Sequence, residues 1–168
     1  MNQITRTSSC QCGKVRMEAI GEPILAAVCY CDDCQAGARK IEALPDAPKV
    51  LDEDCGSSYM IYRDDRISVV AGEELLEAHK LKDKTPTRRW VATCCNSAIY
   101  LKYKPGHWVS SFRNRYEGDD LPPVTMRTNT RFRESDLPYP DAAPTYRGFP
   151  MSLIWKVVVA RFAMWFGR

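Results

Sequence analysis

Cysteines at positions 10, 12, 29, 31, 34, 55, 94 and 95 are the residues of this chain whose type and spacing could do chemistry. Five of them form a Cys10-Gln11-Cys12-Gly13 pair and a Cys29-Tyr30-Cys31-Asp32-Asp33-Cys34 triple, and Cys94-Cys95-Asn96 follows far downstream. Thiolate sulfur is a soft ligand, and tetrahedral thiolate sites favour zinc among the available divalent ions. Close spacing helps because fixing one ligand lowers the entropy of recruiting the next. Gly13 and Asn96 each follow a cysteine, where a residue tolerant of positive φ lets backbone amides turn back toward sulfur. Simple burial as small apolar residues would account for Cys55 and accounts poorly for the cluster.

Reduced thiols are expected. Residues 1–9 are polar and carry no apolar signal segment. The longest apolar stretch, 152–166, is interrupted by Lys156 and Arg161 and is too short to span a membrane. A cytoplasmic location follows as the expectation, and there clustered cysteines serve as metal ligands or catalytic groups before they serve as disulfides.

The elements that must position these residues can be read from periodicity and breakers. The chain has 168 residues, 45% of them hydrophobic and 27% charged, which suits one soluble domain with a real core. Its net charge of +3 is too small to argue for nucleic acid. Alternation predicts a strand over 14–20 and another over 24–28 running into Cys29. Pro45, Asp46, Pro48, Asp52, Glu53 and Asp54 mark 39–56 as loop. Strands are expected again at 58–62, 67–71, 75–80, 88–92 and 98–103, on either side of the Cys94-Cys95 pair. Proline-rich sequence makes 106–150 a loop-rich extension. Residues 151–166, with Leu153, Ile154, Val157, Val158, Phe162 and Trp165 near helical spacing, form a C-terminal helix that closes one side of the core. A membrane-surface role is the alternative for that helix, because Lys156, Arg161 and Arg168 are cationic. Its aromatics (Trp155, Phe162, Trp165, Phe166) offer a homodimer contact.

The pattern Cys10-x-Cys12-Gly13-x-Val15, then Pro23, Cys29-x-Cys31-x-x-Cys34 and Gly37, then a late cysteine knuckle before a strand, resembles the glutathione-dependent formaldehyde-activating enzyme family, which includes centromere protein V. The resemblance covers roughly residues 8–105. It implies a mainly β, Mss4-like (β-tent) fold of antiparallel sheets, here with the C-terminal helix appended. It also implies two zinc sites: Cys10 and Cys12 with Cys94 and Cys95 in a closed structural site, and Cys29, Cys31 and Cys34 in an open, catalytic one. The family is associated with S-hydroxymethylglutathione and with carbon–sulfur lyases, so the resemblance implies glutathione or a related thiol adduct as the small-molecule partner.

Three features depart from that pattern. Ala92 and Asn96 stand where the family's C-x-x-C-G knuckle has its first cysteine and its glycine, and adjacent side chains such as those of Cys94 and Cys95 normally diverge. Cys55 ends an acidic insertion and is a core residue, a fourth ligand or a free thiol. No conventional base is evident: the only histidines are His79 and His107, of which His107 is expected at the surface, and Asp32 and Asp33 are turn residues or groups that orient water or substrate at the metal.

Arg113, Arg115, Arg127, Arg131 and Arg133 concentrate charge, with Phe112, Tyr116 and Phe132 between them. Interleaved acids favour a solvated surface. The functional alternative is a wall in which Arg113 and Arg131 pair with glutathione carboxylates, and single-stranded nucleic acid is disfavoured. The sequence therefore points to a zinc-dependent carbon–sulfur lyase acting on a thiol conjugate. The alternatives are a zinc-stabilised binding module without chemistry and a thiol redox sensor using Cys55 or Cys94.

Overall fold

The computed structural model describes residues 4–167. Two sheets carry most of it. The first is a three-stranded antiparallel sheet of β1 (Thr5–Ser9), β2 (Arg16–Ile20) and β5 (Ile67–Ala71), in the order β1-β2-β5. The second has seven strands: β3 (Leu25–Cys29), β4 (Ser57–Arg63), β6 (Leu76–His79), β7 (Thr87–Ala92), β8 (Ser97–Tyr103), β9 (Trp108–Phe112) and β10 (Met126–Thr128). Their order is β10-β3-β4-β9-β8-β7-β6, and only the β10–β3 pair is parallel. The chain is mainly β, with antiparallel pairing dominant and a C-terminal helix, as the sequence implies.

Burial follows the strand period. In β2, Met17 and Ala19 point inward and their neighbours outward. β3 is buried along its whole length because β4 and β10 flank it and both its faces are covered. Its continuous apolar run ends on Cys29, so the strand delivers the first thiol of the triple.

Several expectations need correcting. Residues 32–42 form a helix, α1 (Asp32–Glu42), running into the segment read as loop from 39. Turn-type Asp32-Asp33 and mid-helix Gly37 obscure it in the sequence. What makes it a helix is an acidic first turn, a basic last turn of Arg39 and Lys40, and Cys34, Ala38 and Ile41 buried along one face. Residues 106–150, read as loop-rich, supply β9, which pairs on one side with β4 and on the other with β8.

α2 (Met151–Trp165) forms where the periodicity puts it, but it does not close the core. Among its described residues only Ala160 is buried, while Trp155 and Trp165 are each 67% exposed. Leu153 packs against Leu25, Ala27 and Met126 at the sheet edge. The Nε2–H of His107 donates to the Val157 carbonyl at 2.9 Å, pinning the helix across the sheet. His107 is thus a half-buried anchor and not a free surface residue. Arg168 lies outside the described residues.

Candidate functional site

All eight cysteines are free thiols, and the fold gathers seven of them into two groups. Within each group the sulfurs lie within 4.8 Å of one another.

The four-thiol group joins Cys10 and Cys12, from the turn between β1 and β2, with Cys94 and Cys95, from the turn between β7 and β8. Sulfur–sulfur separations are 3.5 Å for Cys10–Cys12, 3.8 Å for Cys10–Cys94, 3.3 Å for Cys12–Cys94 and 3.9 Å for Cys94–Cys95. Adjacent Cys94 and Cys95 both reach the group because they sit in a turn and not on a pleated strand. The Cys95 N–H donates to the Ala92 carbonyl at 3.3 Å, and Asn96 follows in the left-handed region at φ 52°. Asn96 holds that conformation by donating through Nδ2 to the Pro45 carbonyl at 2.8 Å. On the other side Gly13 turns at φ 77°, and the Val15 N–H donates to Cys10 Sγ at 3.2 Å. Burial raises the Cys95 thiol, but Ser97 and the neighbouring donors outweigh it and bring it down to about 6. Val15, Met17, Ala92 and Ile99 pack around the group.

The three-thiol group is local in sequence. Cys29 ends β3, Cys31 is the N-cap of α1, and Cys34 lies one turn into that helix. Hydrogen bonds from Cys31 and Cys34 hold the Cys29 thiol well below the ordinary thiol range, whereas Cys31 is pushed up to about 11 and Cys34 higher still. The protons are shared so that one sulfur is readily anionic, and the positive end of the α1 dipole favours that charge. Asn129 donates to Cys29 Sγ at 3.5 Å and Tyr59 to Cys34 Sγ at 3.6 Å. Asn129 itself stands in the left-handed region, at φ 57°, just after β10. Among the described residues no fourth Cys, His, Asp or Glu joins this group. Cys55, a candidate fourth ligand from the sequence, lies apart from it beside Arg39.

Behind the triple, Tyr30 sits between two of the cysteines and is fully buried. Its hydroxyl donates to Asp54 at 2.6 Å and accepts from Arg127 at 2.6 Å. Arg127, only 2% exposed, also pairs with Asp141 at 2.8 Å. It is therefore a buried structural cation and not part of a solvated basic face. Gln35 donates to the carbonyls of Tyr30, at 2.6 Å, and Phe132, at 2.7 Å. Nothing in the sequence pattern marks Asn129, Tyr59, Gln35 or Arg89, although they are what fixes the triple.

A pocket of about 440 Å³ opens on Cys29, Cys31 and Cys34. Tyr59, Ile61, Leu101 and Trp108 from the sheet and Leu153 and Val157 from α2 supply its apolar wall. Asp33, paired with Lys82 at 3.2 Å, is the only carboxylate in the lining. Arg89 lies under α1, where its guanidinium donates to the Asp33 carbonyl; a Cβ at Gly37 would overlap it.

Arg113 and Arg131 are not brought to this pocket. Arg131 is exposed and stacks over Phe132 at 4.6 Å. Arg113 donates to the Pro122 carbonyl at 2.5 Å and lines a larger cavity of about 1020 Å³ together with Val28 and Ser58. Val28 and Ser58 alternate along their strands with Cys29 and Tyr59, so that cavity lies on the opposite face of the sheet from the thiols. It is larger, but no cysteine lines it.

A model of a family of unknown function, DUF6151, matches residues 1–163. The chain belongs to that family. A protein of known crystal structure from Rhodobacter sphaeroides is similar to this DUF6151 member at 20% identity, over 70% of this chain and 96% of that one, with a TM-score of 0.49. No curated protein matches. Two cysteine groups that could hold a metal ion are thus a property of this chain's own fold, and among its described residues no helix is long and apolar enough to cross a membrane.

Proposed function

We propose that the chain binds zinc at both thiol groups, structurally at Cys10, Cys12, Cys94 and Cys95, and catalytically at Cys29, Cys31 and Cys34. The activity proposed is carbon–sulfur cleavage of a thiol–aldehyde adduct, in line with the resemblance to the glutathione-dependent formaldehyde-activating family. One observation carries it: three thiols, with no fourth protein ligand among the described residues, face a pocket. Zinc keeping three protein ligands takes its fourth from water or substrate, the usual form of a catalytic site.

The donor sets fit. With zinc–sulfur bonds near 2.3 Å, a tetrahedral thiolate site has sulfur–sulfur edges of about 3.8 Å. Four of the six separations in the four-thiol group run from 3.3 to 3.9 Å, and all lie within 4.8 Å. Four thiolates around a dication leave negative charge, and Arg115, itself lowered by burial, faces Cys95 and Cys10 with a compensating cation.

Cleavage of such an adduct breaks the carbon–sulfur bond, forms the carbonyl, releases the hydroxyl proton and returns the electron pair to sulfur as a thiolate. No oxidant is needed. Bound zinc would supply Lewis acidity, stabilising the charge that develops on sulfur. The chain supplies the rest. Tyr59 and Asn129 orient two of the sulfurs, as outer hydrogen bonds do at metal sites. The apolar wall keeps water from the reacting atoms. Asp33 is the carboxylate in the wall that would take the hydroxyl proton.

Zinc per chain on reduced protein tests the scheme, with Cys29→Ser and Cys95→Ser beside the native chain. Two zincs, with each variant losing a different one, is the expected result. A single zinc that survives Cys29→Ser would leave only the structural site and make the chain a zinc-stabilised binding module. A disulfide that forms and breaks with no change in metal would favour the redox reading. A homodimer, if formed through the exposed aromatics of α2, would show in sedimentation as a mass that halves in Trp155→Ser.

A further inference from the structure

The structure assigns the pocket at Cys29, Cys31 and Cys34 to a substrate whose sulfur- or carbonyl-bearing carbon carries an aromatic or branched aliphatic group, in place of a peptide-like thiol with two carboxylates. This assignment rests on the proposed function and narrows it to a substrate class.

Size, lining and charge agree. About 440 Å³ is within the roughly 300–1,000 Å³ of small-molecule sites, and such sites are mostly apolar with a few polar groups for orientation. Here the apolar lining beside the thiols includes Leu101, Trp108, Leu153 and Val157, with Phe149, itself 61% exposed, also in it. The sheet and α2 contribute to it together, and the His107 bond to the Val157 carbonyl keeps the helix over the cavity. Leu153 packs on Leu25, Ala27 and Met126 and, with Val157, also lines the cavity, so this stretch of α2 joins the sheet edge to the ligand space.

A bis-carboxylate thiol would need cations in the same space. The wall has two: Arg89, 4% exposed, is committed to the Asp33 carbonyl, and Lys82, 72% exposed and in a solvent-screened pair with Asp33, is one cation where two carboxylates would need partners. Leaving a buried carboxylate without a partner costs far more than an apolar group loses in water. Arg113, the alternative anchor, is on the other face of the sheet, and Arg131 does not line the pocket. Thr85, Thr87, Ser110 and Thr128 are in the lining as neutral partners that suit a hydroxyl or carbonyl oxygen.

The test is calorimetric titration of the zinc-loaded full chain with benzyl mercaptan, benzyl alcohol and glutathione. Benzyl mercaptan is expected to bind at least tenfold more tightly than glutathione. Leu153→Asp should weaken benzyl mercaptan at least tenfold while zinc content stays the same, and Phe149→Ser, at an exposed position, should weaken it without risk to folding. Equal or tighter binding of glutathione by protein carrying both zincs would overturn the substrate class and leave the proposed function standing. Full affinity for benzyl mercaptan in both variants would also overturn it. Native protein that lacks the second zinc yet binds benzyl alcohol, with that binding lost in Leu153→Asp, would support the apolar pocket and sink the metal reading alone.

Discussion

Asn129 and Tyr59 each give one hydrogen bond to a sulfur of the triple. Outer partners of this kind tune metal affinity by about 10–100-fold. Asn129→Ala should therefore weaken metal binding at the three-thiol group by that factor and leave the four-thiol group unaffected, as read by competition with a coloured zinc chelator. Gly37 acts through absence of a side chain. An alanine there would drive Arg89 from its place beneath α1, and overpacking of this type costs roughly 1–3 kcal/mol. Gly37→Ala should melt lower by thermal denaturation, and Arg89→Met in the same background should recover part of the loss. Asp33→Asn should lower turnover at unchanged zinc content, measured as aldehyde released from a thiol adduct.

At the scale of elements, the buried network of Tyr30, Asp54, Arg127 and Asp141 ties β10 and the segment before β4 to the Cys29–Cys31 connection. Removing one partner of a buried ion pair costs about 3–5 kcal/mol because the other charge stays uncompensated. Asp54→Ala should reach that range in urea denaturation, whereas Asp141→Asn, at a 40% exposed carboxylate, should cost much less. The pH dependence has a definite sign. Burial tends to raise Asp141, but the Ala143 N–H and Arg127 outweigh it and hold the carboxyl below its usual value. Its contribution is present above the ordinary aspartate range and is lost as pH falls through the lowered value. The acid limb of the stability profile should therefore be shallower in Asp141→Asn.

At the scale of the molecule the two thiol groups differ in what they hold together. Cys10 and Cys94 are 84 residues apart, so metal there closes a long loop and fastens the three-stranded sheet to the β7–β8 turn. The triple lies within 29–34 and closes almost none. Loop-closure entropy grows with the length closed, and structural metal sites contribute folding energy directly. Cys10→Ser should thus lower the melting temperature more than Cys29→Ser does, and strong chelation should melt the native chain to the level of Cys10→Ser.

Much was legible in the sequence because it is local. The strand expected over 14–20 announces itself by alternation, those over 67–71 and 98–103 fall on β5 and β8, the C-terminal helix shows by its period, and the cysteine groups by spacing within a few residues. α1 was not legible, since Asp32-Asp33 and Gly37 are turn residues on their own and become helical only when Cys34, Ala38 and Ile41 find a core to bury against. β9 was not legible for a related reason: a strand flanked on both sides is selected by its partners, and one of them, β4, lies far away in sequence.

By itself, then, the sequence determined the mainly β class and the grouping of thiols by short-range spacing. Only the tertiary structure decided that Cys94 and Cys95 turn to the same point, that Cys55 stands apart from the triple, and that Arg127 is buried while Arg113 faces away from the thiols. It also decided that the space beside the triple is apolar. The physical reason is that spacing fixes which ligands can converge along a few residues of chain, whereas burial and pocket lining depend on which distant surfaces the sheet and α2 bring together.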